Sequence, residues 1–188
     1  MTSPAPQDAS PSPPAAAAGP ETRPLRRPDA RFAFSHPAHA IAMGLGSGLS
    51  PMAPGTAGTL WAWVSFLVMQ LWFTPAQIGL VIAGALAVGW WACTVTADHL
   101  GQADPGRIVW DEIVAFWLVL WLIAPASGWM QLAAFGLFRF FDAVKPGPVG
   151  WADRVFHGTG WRGGLGVMFD DLVAAFCTLL LIALWRFF

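Results

Sequence analysis

Apolar residues run along this chain in long blocks rather than in alternation, and short links rich in Gly, Pro or charge separate the blocks. Five blocks stand out, at roughly residues 60–73, 76–97, 108–124, 131–141 and 167–188. Runs of this length without a two-residue alternation read as helix rather than strand. The pattern therefore predicts an all-α protein, a small bundle of about four or five hydrophobic helices. A helix needs about 20 apolar residues to cross the hydrocarbon of a bilayer. Only the second and fifth blocks reach that length, so the others are expected to be short, tilted or half-buried within the bundle.

The links carry more information than the blocks. Residues 74–75 and 125–129 hold no charge, whereas the N-terminal region through Arg31, the 98–107 loop and the 139–163 segment hold nine of the ten Lys and Arg. Positively charged loops stay on the cytoplasmic side of a membrane protein, so these three regions are expected on one cytoplasmic face, with Arg186 the exception. Composition agrees with a lipid environment: 56% of the residues are hydrophobic and 11% charged, too few polar groups to cover a soluble surface. Twelve Trp without a Tyr fit interfacial or packing roles. Residues 1–30, with eight of the sixteen prolines and the Ala15 to Ala18 run, are expected to be a disordered tail, and residues 31–188 the membrane domain. The tail lacks the basic start and apolar core of a signal peptide. A net charge of -1 and the lack of a basic stripe interleaved with aromatics argue against nucleic acid, and nothing predicts a protein partner. Cys93 and Cys177, each inside an apolar run, read as buried thiols.

Four motifs sit at the edges of the blocks, on or near the charged side. Residues 44–59 form a Gly-rich run with Ser47, Ser50, Gly55, Thr56 and Thr59 just before an apolar helix. Glycines there permit close backbone approach, and a helix N-terminus with free N–H groups seats phosphate; the bland alternative is tight packing of small residues. Asp111 and Glu112 open the third block. Each would cost about 2.5–3.5 kcal/mol at a bilayer centre; the helix macrodipole explains one acid in a first turn better than two. Arg139, Asp142 and Lys145, the only lysine, precede Pro146 and Pro148, which are expected to end the helix and hold the chain extended. Arg139 and Asp142 could simply pair on one helical face. Asp170 and Asp171 follow a Gly163-Gly164 approach and are read as opening the last helix.

Five carboxylates, Asp111, Glu112, Asp142, Asp170 and Asp171, exceed what pairing with nearby Arg and Lys requires. Hard oxygen ligands without clustered His or Cys suit Mg²⁺. The four histidines, His36, His39, His99 and His157, read as solvated loop residues. No cysteine is followed six residues later by arginine, so a cysteine phosphatase loop is missing.

Taken in order, these motifs resemble the phosphatidylglycerophosphatase A family: GSGLSP..PGT.GTL at 46–60, IVWDE at 108–112, FR.FD..KP.P at 138–148 and GG.G...DD at 163–171. The likeness covers residues 39–183. It departs from the family's usual glycine at Ala115 and Ala175, and by a short insertion near 159–162. The resemblance implies a Mg²⁺-dependent enzyme of glycerophospholipid synthesis in the bacterial cytoplasmic (inner) membrane, multi-pass, its active site facing the cytoplasm. It would hydrolyse the terminal phosphate of a phospholipid, phosphatidylglycerol phosphate. The five carboxylates would then serve as catalytic and metal ligands, and Arg139 and Lys145 would meet phosphate oxygens. Direct attack by water and an aspartyl-phosphate route fit the same residues. The rival reading is an ion or solute transporter, since carboxylates within membrane helices also mark ion paths.

Overall fold

A computed structural model describes residues 28–102, 105–155 and 160–187. The tail expected to be disordered lies outside them as far as residue 27. Regular structure among the described residues is entirely helical: α1 (Ala30–Ala33), α2 (Pro37–Ala42), a 3-10 segment at Gly44–Leu49, then α3 (Pro54–Trp72), α4 (Pro75–Leu100), α5 (Trp110–Ile123), α6 (Gly128–Val144), α7 (Pro148–Val155) and α8 (Trp161–Phe187). The five apolar blocks become α3, α4, α5, α6 and α8. Of these, α4 and α8 are long and apolar enough to cross a membrane.

Local chemistry sets the ends. Thr74 and Gln77 form a reciprocal capping box before Pro75, and Gly101 closes α4 in the left-handed region. Ser127 accepts from the Met130 N–H to start α6, and Lys145, at φ 48°, ends it. Pro148 does not prolong an extended stretch as expected; it is the first residue of α7, where its missing N–H is harmless. The last helix also differs. It begins at Trp161 rather than beside the acids, so Asp170 and Asp171 lie about three turns inside it. Gly163 and Gly164 both lie inside it, and α4 leaves Gly164 no room for a side chain: a Cβ there would overlap the Thr94 hydroxyl and come within 2.9 Å of the Thr94 backbone.

At fourteen residues α5 is the shortest of the five, about 21 Å, and it is the centre of the bundle. Ile113, Val114, Ala115, Phe116 and Val119 on it are wholly covered. Helices α3, α4, α6 and α8 surround it. Indole N–H groups tie the helices together: Trp117 donates to the Ala62 carbonyl, Trp110 to Ala85, Trp121 to Pro75 and Trp90 to Trp161. The outer faces are apolar, with Val68, Leu71 and Trp72 on α3, Leu80 on α4, and Leu180 and Trp185 on α8 exposed. Such a surface suits lipid.

The up-and-down order brings the starts of α3, α5 and α8 and the ends of α4 and α6 to one pole. The uncharged links at 73–74 and 124–127 form the other. All four sequence motifs gather at the first pole or within three turns of it. Arg186, at the second pole, reaches the Ile123 carbonyl at 3.4 Å.

Candidate active site

Three helices each bring one acid to a common point. Glu112 in the first turn of α5, Asp142 in the last turn of α6 and Asp171 of α8 offer carboxylate oxygens all within 4.8 Å of one another. Asp171 is buried and the other two nearly so. Arg139, one turn before Asp142, closes the group: its Nη1 lies 3.1 Å from Glu112 Oε1 and 2.5 Å from Asp142 Oδ2. The same nitrogen donates to the Thr59 hydroxyl at 3.4 Å. That hydroxyl in turn donates to the Gly55 carbonyl at 2.9 Å.

Geometry explains the glycines of the first motif. A Cβ on Gly55 would overlap Glu112 Oε1, and one on Gly58 would come within 3.3 Å of Glu112 Oε2. The start of α3 thus rests directly on the Glu112 carboxylate. The run does not present a fully open set of N–H donors, because Pro54 occupies the first helical position. Ser47 and Ser50 spend their hydroxyls on the Gly44 and Met52 carbonyls, and Thr56 is half-buried in the first turn of α3.

The remaining acids divide. Asp111 is buried and accepts from the Glu112 N–H at 3.0 Å, outside the group of three. Asp170 meets Lys145 Nζ at 2.7 Å, and a second carboxylate, Asp153 of α7, also pairs with that ammonium. Burial pulls the Lys145 pKa down, but hydrogen bonds and charge from Asp153 and Asp170 outweigh it and hold the ammonium above the ordinary lysine value. Asp153 is the residue that sequence reading missed. It sits in no acidic pair and opens no apolar block, so nothing in the sequence marks it.

Histidine placement also differs from expectation. His39 is 4% exposed, stacked on Phe32 at 4.1 Å between ring centres, with Nε2 2.8 Å from His99 Nδ1. His36 caps α2 through Nδ1. Burial lowers the His39 pKa, the Phe32 carbonyl opposing it and the neighbouring imidazoles adding to it. These rings fasten α2 to the end of α4, away from the acids; His157 lies outside the described residues.

A group of oxygen donors with no imidazole or thiol fits a hard divalent cation such as Mg²⁺. Fold and site together define a small helical membrane-type protein with an acidic centre at one pole. Comparison with known proteins makes this specific. The family model described as Phosphatidylglycerophosphatase A matches residues 40–186. Phosphatidylglycerophosphatase A of Escherichia coli K12 is 40% identical over 150 residues, 77% of this chain and 80% of that protein. The Haemophilus influenzae protein of that name is 38% identical over 156 residues, 82% and 90% of the two chains. A Bacteroides thetaiotaomicron relative, provisionally named a phosphatidylinositol-3-phosphatase, is 40% identical over 157 residues, 78% and 91% of the two. No solved structure matches the chain. The chain belongs to the phosphatidylglycerophosphatase A family and is a phosphatase.

Proposed function

We propose that this enzyme hydrolyses the terminal phosphate of phosphatidylglycerol phosphate, giving phosphatidylglycerol and inorganic phosphate for glycerophospholipid synthesis. The observation that carries this reading is the meeting of Glu112, Asp142 and Asp171 around Arg139 at the pole where the charged links lie. The relatives named for this substrate align over most of the chain.

Glu112, Asp142 and Asp171 would hold Mg²⁺, which supplies Lewis acidity and offsets phosphate charge. The chain's own groups do the rest. Arg139 presents a planar guanidinium to the phosphate oxygens, and Thr59 and Glu112 fix its direction. Lys145 adds a compact positive charge at the edge. Gly55 and Gly58 keep the approach to Glu112 free of side chains. In the net reaction a water oxygen bonds to phosphorus, the bond from phosphorus to the glycerol oxygen breaks, and that oxygen takes a proton.

The positive-inside pattern supports multi-pass insertion in the bacterial inner membrane with this pole in the cytoplasm. A transporter is disfavoured, because the acids collect at one pole instead of lining a path and the named relatives are phosphatases. The test is phosphate release by purified protein from phosphatidylglycerol phosphate, with Mg²⁺ or with EDTA, beside phosphatidylinositol 3-phosphate. The expected result is Mg²⁺-dependent release, faster from the first lipid. Release unaffected by EDTA would refute the metal, and a preference for the inositol lipid would refute the substrate.

A further inference from the structure

Lys145 is held from two sides by acids on different helices, and neither acid belongs to the group of three. Its backbone is fixed first. The Lys145 N–H donates to the Phe141 carbonyl at 2.9 Å, and φ of 48° turns the chain sharply out of α6. The following α7 folds back against it, so closely that a Cβ on Gly150 would stand 2.6 Å from the Lys145 carbonyl oxygen. Val149 and Ala152, both wholly covered, seat α7 in the bundle and turn Asp153 toward Lys145. Asp170 meets the same ammonium from α8, and its chain neighbour Asp171 belongs to the group of three.

A lysine stem on its own samples many rotamers. Anchored by two carboxylates, it is confined to one. An ammonium has three N–H donors; Asp153 and Asp170 take two, which leaves one for a ligand. Asp153 is the more exposed anchor, at 31% against 9% for Asp170.

We propose that Asp153 is a positioning residue for the phosphatase reaction: through its ion pair with Lys145 it aims the protein's one lysine at the phosphate beside Glu112, Asp142 and Asp171. This role rests on the reaction proposed above. It predicts that Asp153 acts on KM by way of Lys145, whereas a residue that merely stitches α7 to the bundle through the same ion pair would lower the melting temperature and leave KM unchanged.

The test uses the full-length protein in phosphatidylcholine vesicles carrying phosphatidylglycerol phosphate and Mg²⁺. Asp153→Asn should raise KM about tenfold with kcat changed by less than about threefold, as loss of binding shared by ground and transition states requires. Asp153→Glu should recover most of that loss, and Arg154→Gln, an exposed neighbour, should match wild type. Lys145→Gln should raise KM similarly, and adding Asp153→Asn to it should cost nothing more. Because Lys145 is the only lysine, ¹⁵N-lysine labelling gives a single side-chain ammonium signal. Its protons should exchange slowly with water in wild type and fast in Asp153→Asn. A wild-type KM in Asp153→Asn, losses that multiply in the double variant, or an unchanged ammonium signal would each overturn the role. A wild-type protein that releases no phosphate from this lipid overturns the reaction and the kinetic role with it, a result distinct from these because it precedes any substitution.

Discussion

Gly55→Ala isolates the contact between α3 and the acidic centre. The new methyl would overlap Glu112 Oε1, lie 2.8 Å from the carboxyl carbon and sit 3.0 Å from Arg139 Nη1. Glu112 ends a flexible side chain, so it yields by turning away, and its 3.1 Å bond to Arg139 is lost. A hydrogen bond to a charged group contributes about 1.5–3 kcal/mol. If that orientation is needed in the transition state, kcat/KM falls about 10- to 150-fold. Gly55 is the second residue of α3, so the helix gains less from Ala than the about 0.8–1 kcal/mol that separates the two residues in a helix interior. The expected outcome is therefore a weakened enzyme with a melting temperature close to wild type, measured on one detergent preparation by phosphate release and thermal unfolding. Gly136→Ala, where nothing lies within 4 Å of the added carbon, is the control. Near-full activity in Gly55→Ala would refute the reasoning, as would a loss that simply follows unfolding.

Asp171→Asn keeps the volume of the side chain and removes one of three converging charges, so folded protein should lose activity by orders of magnitude. Asp111→Asn, outside that group, should lose less; the reverse order in phosphate release would contradict the assignment. For His39, whose folded pKa lies below the ordinary 6.5, stability is complete above about pH 6.5 and falls as the unfolded chain takes up protons below it. Melting temperature should drop from pH 7 toward pH 5 more steeply in wild type than in His39→Gln, and equal slopes would count against it. Cysteines placed singly at Gln102 or Gly147 of a Cys-free variant should resist an impermeant thiol reagent added outside intact cells, and ready labelling would reverse the orientation. Deleting residues 1–20 should leave turnover nearly intact, since no group of the acidic centre lies there; a large loss in inserted protein would contradict this.

The helices were legible because burial in lipid or among neighbours demands continuous apolar runs: α4 and α6 contain their blocks, α3 and α8 begin six residues before theirs, and α5 is shorter than its block by two residues at its start and one at its end. Helix starts were less so. Gly163 and Gly164 resemble an approach to a helix, and only the closeness of Thr94 on α4 shows why a glycine stands at 164 inside one. The acids were found as a set, but their division was not. Asp170 and Asp171 are adjacent in sequence, and a helix points neighbours about 100° apart, so one meets Lys145 and the other Glu112 and Asp142. His39 and Asp153 escaped because their partners, His99 and Lys145, come from other elements, and a lone polar residue carries no sign of such a partner.

The covered position of α5 has a consequence for biogenesis. A fourteen-residue helix covered by protein along most of its length gains little from lipid on its own account, and its first turn carries two acids. Its burial depends on α3 and α4, the neighbours synthesised before it, and on α6 and α8, which follow it in the chain. A nascent chain stopped after α6 contains every residue of α5 yet leaves it without one wall. Such a chain also lacks Asp171, so its acidic centre is incomplete along with its bundle.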